Sequence, residues 1–407
     1  MNKKRHKNNL REIPLNKIKN KKIILLSNTS RYIFQYRLLL LKKLKNSCNE
    51  LFVLASVDRT SILLKDIAEF REWELSAKKN YSLNNFFKSF IQLFFNVKEI
   101  SPYIVHSHTI KSNLLISIIN FFFRINTIIS FAGMGRLSNS KGVKKILFII
   151  ILKNIYFLSI YQLEKFFIKK NYNRVKLIFQ NPIDIKFFMN CIGYSDVKNL
   201  FNLIPGSGVP EIYFQSKKKF FLEKNNNLDF IYCARLENSK GIKTFINLSF
   251  YYPNSKFFIY GDLESNSDDY LRKEEISYFK SKNKNLLFMN YVKDPLLKHH
   301  NDKTIVMVPS NYGEGLPRAI IEAFSLELPV IASKKSCVGL FNEKNLFIVK
   351  DNNLISYLNE IQKIILKKNN NNLNGFLKKS KELVFKKYSE SIIVAKTLKI
   401  YQQFQNN

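Results

Sequence analysis

The sequence predicts two consecutive doubly wound α/β units, each built on a parallel sheet. Short apolar runs of strand length alternate with helix-length stretches through most of the chain. The alternation also restarts after Pro205-Gly206-Ser207-Gly208, so one unit ends and another begins there. The length, 407 residues, fits two domains of roughly 100–200 residues each. With 46% hydrophobic and 24% charged residues, the chain can fill two cores, which excludes a disordered or fibrous protein.

Residues 1–22 form a basic arm that holds nine Lys/Arg against one acid and opens Lys3-Lys4-Arg5-His6-Lys7. The first unit spans 23–202. Lys22-Ile23-Ile24-Leu25-Leu26-Ser27-Asn28 reads as a buried strand entering a polar loop, followed by a helix through 36–45. Residues 51–57, 103–108, 125–130 and 175–180 are the further short apolar strands of this unit. The second unit, 203–378, places strands at 230–233, 256–260, 286–289, 305–308 and 330–332. Asparagine runs at 225–227 and 369–372 are low-complexity loops. A helical run over 378–404 is long enough for the segment 379–407 to pack back across the first domain.

The formal net charge is +35, of which +8 lies in 1–22, +16 in 23–202 and +11 in 203–407. Such a field attracts polyanions, either nucleic acid or an anionic membrane face. No zinc-finger, RNA-recognition or helix-turn-helix signature accompanies it, so no specific nucleic-acid partner is expected. Only 12 Gly, beside a surplus of Lys, Asn, Ile and Phe, points to A+T-rich coding bias as a second source of the charge. No run reaches the ~18 apolar residues of a spanning helix. Residues 143–170 mix Ile, Phe, Leu and Tyr with six lysines, which fits an interfacial helix on anionic lipid and equally a core helix with an outer lysine face. No apolar segment of signal-peptide type precedes Ile23, so a soluble or peripheral cytoplasmic protein is expected. Cys48, Cys191, Cys233 and Cys337 lie far apart with no CxxC, against a disulfide scaffold or a cysteine zinc site.

The segment richest in chemistry is Pro309-Ser310-Asn311-Tyr312-Gly313-Glu314-Gly315-Leu316-Pro317-Arg318-Ala319-Ile320-Ile321-Glu322-Ala323-Phe324. A strand ends, a polar loop follows, and Pro317 stands where the first turn of a helix belongs. The free N–H groups of that turn face the loop and form an anion site. Glu322, about one and a half turns further on, is expected on the flank of that pocket. Two carboxylates beside a phosphate-sized site make sense as acceptors for sugar hydroxyls.

This segment, with Leu328-Pro329-Val330-Ile331-Ala332-Ser333 following, resembles glycosyltransferase family 4, the retaining GT-B glycosyltransferases. Cys233-Ala234-Arg235-Leu236 and Lys240-Gly241-Ile242 are similar to the family's diphosphate-binding strand, loop and helix. Phe179-Gln180-Asn181 and Pro205-Gly206-Ser207-Gly208-Val209 resemble its interdomain segment. Val105-His106-Ser107-His108-Thr109-Ile110-Lys111-Ser112 and Phe131-Ala132-Gly133-Met134-Gly135 resemble its acceptor-domain loops. Leu26-Ser27-Asn28-Thr29-Ser30-Arg31, through Tyr36-Arg37, resembles the opening of the subgroup that builds bacterial surface polysaccharides. These matches run from about residue 22 to 404.

The resemblance implies two Rossmann-like domains facing a cleft, the GT-B fold. It also implies transfer of a hexose or N-acetylhexosamine from a nucleotide sugar, most often UDP-linked, in O-antigen, capsule or related glycan synthesis. The implied acceptor is a polyprenyl-diphosphate-linked saccharide on the inner face of the cytoplasmic membrane, an anionic surface. The catalytic set it implies is Glu314, His108, Arg235 and Lys240, with Arg235 and Lys240 neutralising the departing diphosphate and Glu314 binding donor-sugar hydroxyls. Donor binding would draw on Glu322 at the ribose, on Gly313, Gly315 and Leu316 at the phosphates, and on Ser207 and Gly208. Acceptor-side loops would carry Asn28, Thr29, Ser30, Lys111, Gly133 and Gly135. His106, taken to face away from His108, is expected to be structural, and His299-His300 are expected at the surface. Asp268-Asp269 is not a metal-binding DxD, so neither metal nor cofactor is expected beyond the nucleotide sugar.

The chain departs from the pattern in places. Pro210 stands where the subgroup has Asp, Glu327 and Asn290 replace common glycines, and 336–341 is only partly kept. Three rivals stay open: a nucleotide-sugar epimerase of the same fold, a non-catalytic polyanion-binding descendant, and a nucleic-acid-binding module.

Overall fold

A computed structural model describes residues 18–75, 83–134, 141–164, 167–170, 172–193, 200–216, 220, 228–262, 269–289, 292–311, 314–369 and 372–404. The basic arm up to residue 17, Gly135, Gly313, Asp268 and Asn290 lie outside them.

The strands in chain order are β1 (Lys22–Thr29), β2 (Glu50–Ser56), β3 (Glu69–Glu72), β4 (Ile104–His108), β5 (Asn126–Phe131), β6 (Tyr161–Glu164), β7 (Phe167–Lys170), β8 (Val175–Phe179) and β9 (Phe201–Leu203). They are followed by β10 (Asp229–Cys233), β11 (Lys256–Tyr260), β12 (Leu286–Met289), β13 (Thr304–Val308), β14 (Val330–Ser333) and β15 (Phe347–Val349). The first sheet has the order β3-β2-β1-β4-β5-β8-β9 and the second β12-β11-β10-β13-β14-β15, and every pairing in both is parallel. These are two doubly wound Rossmann-like domains, as the alternation predicts. In each sheet the strand order reverses at one point, β1/β4 and β10/β13, and such switch points open a crevice at the carboxyl ends of the strands.

Alternation of side chains along each strand builds two cores per sheet. Ile23, Leu25, Leu51 and Val53 face the helices Ser30–Tyr36 and Leu38–Lys45 together with the closing helix Glu390–Tyr401. Ile24, Leu26, Phe52 and Leu54 face the helices Leu83–Ile100 and Ile110–Phe122. Ile393, Leu398, Tyr401 and Phe404 are thus part of the first domain's core although they end the chain.

Several elements differ from the sequence reading. The helix expected over 36–45 starts earlier, at Ser30, because the Thr29 side chain accepts from the Tyr32 N–H and caps it. It breaks at Arg37 (φ −132°, ψ 10°), and a second helix runs Leu38–Lys45. The Arg37 guanidinium is buried and donates to Gly206 O (3.4 Å) and Tyr32 Oη (3.2 Å), so tertiary contacts hold the break. Strands β3, β9 and β15 are short and were not legible as apolar runs. The segment 143–170 is a helix, Val143–Ile160, followed by an antiparallel hairpin, β6 with β7. The final run is two helices, Leu373–Tyr388 and Glu390–Tyr401, parted at Ser389.

A candidate donor site between the two domains

The site starts from two loops of the second domain. After β10 the chain passes Arg235 and a short turn, Asn238–Lys240, closed by Gly241 at φ +78°. A β-carbon at Gly241 would run into the Pro309 carbonyl, so only glycine lets this turn lie against the loop that follows β13. That approach brings Lys240 Nζ to 2.8 Å from Glu314 Oε1, with both side chains largely buried. Arg235 Nη1 lies 2.6 Å from Glu237 Oε1, and Glu237, fully buried, also accepts from Tyr270 Oη at 2.7 Å. The helix Arg318–Ser325 begins after Pro317 with no side-chain cap; of its first-turn N–H groups, that of Ile320 donates to Pro317 O at 3.1 Å, and the helix start borders the loop.

The first domain supplies the opposite wall. Asn181 caps the helix Pro182–Ile192, accepting from Asp184 N at 2.7 Å. Its amide donates to Glu314 O (3.0 Å) and Gly315 O (2.8 Å) in the other domain. Gly133, at φ +97°, lies against Gly315, and a β-carbon there would stand 2.6 Å from Gly315 N. The resulting cavity, about 410 Å³, is lined by Tyr32, Arg37, Gln180, Arg235, Lys240 and Glu314, among others. A recess of about 580 Å³ adjoins it and shares Tyr36, Ala234, Arg235 and Arg318 as lining.

Glu322 lines this recess and not the cavity at the helix N-terminus. It pairs with Arg318 Nε, and Arg318 Nη1 in turn donates to Gln35 O of the first domain at 3.0 Å. Burial raises the Glu322 carboxyl above its ordinary range, with Arg318 opposing. Burial also pushes Asp184 up to about 7, with the Asn181 amide opposing.

Of the residues singled out in the sequence, Arg235, Lys240, Glu314, Gly315, Leu316, Ser207 and Gly133 line the cavity. Gly208 does not. It lies against the backbone of Ser389 and Glu390, where the chain crosses back to the first domain. His108 does not either. It is fully buried, and neither ring nitrogen has a hydrogen-bond partner among the described residues. The strand β4 runs on to His108, and residues two apart share a face. His106 and His108 therefore lie side by side, ring centroids 4.1 Å apart and tilted by 38°, and His106 does not face away. Burial, His106 and Arg37 together hold the His108 ring well below its ordinary pKa, so it is neutral. His106 bonds Tyr401 Oη (2.8 Å) and Ser130 Oγ (2.7 Å).

Asn28 accepts from Thr109 Oγ1 at 2.6 Å, Thr29 is spent as a helix cap, and Ser30 Oγ is buried beside Ser61 Oγ at 2.9 Å. None of these three, nor half-buried Lys111, lines either cavity. His300 is buried, its Nδ1 2.6 Å from Leu296 O, while His299 is exposed. The sequence reading missed Arg37, Asn181 and Arg318 as site residues. Asn181 before Pro182 carried a helix-cap signal, but nothing local showed that its amide reaches the other domain. Among the described residues no group of three or more His, Cys, Asp or Glu could hold a metal ion.

Residues 214–383, which take in most of the second domain, match the family described as glycosyl transferases group 1. A 110-residue stretch is 36% identical to an uncharacterized glycosyltransferase of Methanocaldococcus jannaschii, covering 26% of this chain and spanning only 25% of that protein. Over 397 residues the chain is 24% identical to the N,N′-diacetylbacillosaminyl-diphospho-undecaprenol alpha-1,3-N-acetylgalactosaminyltransferase of Campylobacter jejuni, covering 94% of this chain and 98% of that one. Among solved structures, HepE of Anabaena in complex with UDP superposes with a TM-score of 0.69 at 15% identity, covering 94% and 99% of the two chains. A glycosyltransferase from Rickettsia africae does so with a TM-score of 0.69 at 15% identity, covering 95% and 100%. The fold is therefore the GT-B fold of glycosyltransferases, and its second domain is where the match to glycosyl transferases group 1 lies.

Proposed function

We propose that the chain is a metal-independent retaining glycosyltransferase that moves a hexose or N-acetylhexosamine from a UDP-sugar to a lipid-linked saccharide. The observation that carries this reading is the Lys240–Glu314 pair, set beside Arg235 and a helix N-terminus in one cavity walled by both domains. Two fixed cations beside the start of a helix suit a diphosphate, and a carboxylate beside them suits sugar hydroxyls. The name of the Campylobacter relative supports the lipid-linked acceptor, and the UDP in the Anabaena structure supports the nucleotide.

In the reaction, the bond between the anomeric carbon and the diphosphate oxygen breaks, and the electron pair leaves with the diphosphate. Arg235, Lys240 and the first-turn N–H groups of the helix Arg318–Ser325 take up that charge. Lys240 exchanges Glu314 for a phosphate oxygen, which frees the carboxylate for the donor sugar. The acceptor hydroxyl oxygen bonds the anomeric carbon on the face that the diphosphate leaves, and its proton passes to the diphosphate. Glu322, oriented by Arg318, binds the ribose hydroxyls in the adjoining recess. A product destined for surface polysaccharide places the enzyme at the inner membrane face.

The test is a thermal-shift screen of nucleotide sugars on the full chain, with Arg235→Ala and Glu322→Ala alongside. One UDP-sugar should raise the melting temperature of wild type and of neither variant. No shift from any nucleotide sugar with folded wild type would sink the donor site. Donor consumption without an acceptor, releasing free sugar, would instead mark the epimerase.

A further inference from the structure

Four cations line the cavity among the described residues: Arg235, Lys240 and Arg318 from the second domain and Arg37 from the first. Three of them hold a carboxylate, for Arg235 pairs with Glu237, Lys240 with Glu314 and Arg318 with Glu322. Arg37 forms no ion pair among the described residues, although only 6% of it is exposed. A guanidinium carries five N–H donors. Here Nη1 donates to Gly206 O at 3.4 Å and Nη2 to Tyr32 Oη at 3.2 Å, both at or beyond the long end of the usual range. Nε has no partner among the described residues. The charge is not met from behind either. Burial and the Arg37 charge hold His106 and His108 well below their ordinary pKa, and burial raises the Tyr401 phenol, so all three are neutral.

Burying a charge without an opposite one costs stability, and a buried donor left wanting marks a place for an oxygen that the chain does not supply. Position says which oxygen. Gly206, the partner of Arg37, packs on Leu316: a β-carbon at Gly206 would stand 2.9 Å from Leu316 Cδ2. Leu316 and Pro317 lead directly into the helix Arg318–Ser325. Arg37 thus reaches from the first domain toward the helix start, in the cavity that also holds Arg235 and Lys240. Tyr32 lines the same cavity, and its Oη, having accepted from Nη2, still has its own O–H to donate. The charges also count. The diphosphate of a nucleotide sugar carries two negative charges, which Arg235 and Lys240 match once Lys240 has given up Glu314. Breaking the anomeric bond leaves a third on the diphosphate until the proton of the acceptor arrives, and Arg37 is a third cation.

We infer that Arg37, with the Tyr32 hydroxyl, is the first-domain half of the diphosphate site: its guanidinium binds the diphosphate of the donor opposite Arg235 and Lys240 and takes up the charge that grows as the anomeric bond breaks. This deepens the donor reading and rests on it. The diphosphate is then gripped from both domains, and Arg37 finds on binding the anion that the empty cleft denies it.

The test is binding of UDP, by calorimetric titration, and of uridine, by ligand-observed NMR, to the full chain as wild type, Arg37→Met and Tyr32→Phe. Arg37→Met keeps a long apolar stem and removes the charge. It should bind UDP about tenfold more weakly, while uridine, which has no phosphate, binds as it does to wild type. Tyr32→Phe keeps the ring and should lose about threefold for UDP alone. Equal UDP affinity in wild type and Arg37→Met would overturn the inference. So would an equal loss for UDP and uridine, the mark of a residue that only holds the helix break. Farnesyl diphosphate in detergent probes the other diphosphate, that of a polyprenyl-linked acceptor. If Arg37→Met loses farnesyl diphosphate and keeps UDP, the cation serves the acceptor and the inference falls. Should Arg37→Met fail to fold, as read by the fluorescence of buried Trp73, Tyr32→Phe decides, and UDP affinity unchanged from wild type overturns the inference. Failure of the donor reading is separate: wild type that binds neither UDP nor any UDP-sugar sinks both, whereas UDP bound equally by wild type and Arg37→Met sinks this inference alone.

Discussion

At the residue scale, one side chain couples the two domains. Asn181 caps its own helix, bonds Asp184 Oδ2 at 2.9 Å and holds the Glu314–Gly315 backbone of the other domain. Asp184 is the cost of this arrangement: burial lifts its carboxyl to about 7 from an unfolded value of about 3.9. The folded chain therefore binds a proton that the unfolded chain has lost between these two values. Stability from this group falls as pH rises from about 4 to about 7 and is level above that. Asp184→Asn should remove that fall. Chemical denaturation at pH 5 and pH 8 should show wild type losing about 1–3 kcal/mol more than the variant across the interval. An equal loss in both would show that Asp184 titrates normally. The sequence marked Arg235, Lys240 and Glu314 as candidates, and the folded chain brings all three into one cavity. His108 it misplaced, because the strand β4 runs on to that residue and buries it on the same face as His106.

Among the elements, the turn after the helix Arg318–Ser325 shows what a missing glycine costs. Glu327 occupies a left-handed position at φ +55°, where glycine is the residue that fits without strain. Its carboxylate is held by Lys381 at 2.9 Å from the helix Leu373–Tyr388. A side chain there costs about 1 kcal/mol of backbone strain, and a partly exposed ion pair returns less than that. Glu327→Gly should therefore be more stable than Glu327→Ala by about 1 kcal/mol, read from denaturation midpoints. If the two variants unfold together, the turn is unstrained. Element boundaries were hardest to read where partners decide them. Nothing in the residue type of Arg37 breaks a helix by itself; beside its local bond to Tyr32 Oη, it reaches Gly206 O, 169 positions away, only in the folded chain.

Over the whole molecule, the chain's end completes the core of its beginning. Tyr401 is fully buried, bonded to His106 Nδ1 at 2.8 Å, and packs among Ile393, Leu398 and Phe404. Tyr401→Ala opens a cavity and leaves His106 a partner short, costing about 3–5 kcal/mol of first-domain stability. Tyr401→Phe removes only the hydroxyl and should cost about 1–2 kcal/mol. Urea unfolding followed by the fluorescence of Trp73, buried in the first domain, reads both; a Tyr401→Ala loss no larger than that of Tyr401→Phe would mean the helix Glu390–Tyr401 is not part of that core.

The sequence by itself determined the fold class and singled out the second-domain residues that line the cavity. Strand-helix alternation and a loop-to-helix anion site are local patterns, and each is written in fewer than about twenty consecutive residues. Only the tertiary structure decided which groups meet. The Lys240–Glu314 pair spans 74 positions, the Asn181 latch 133 and the Tyr401–His106 bond 295. Such contacts depend on where two sheets settle against each other, a property of packing that no local period encodes.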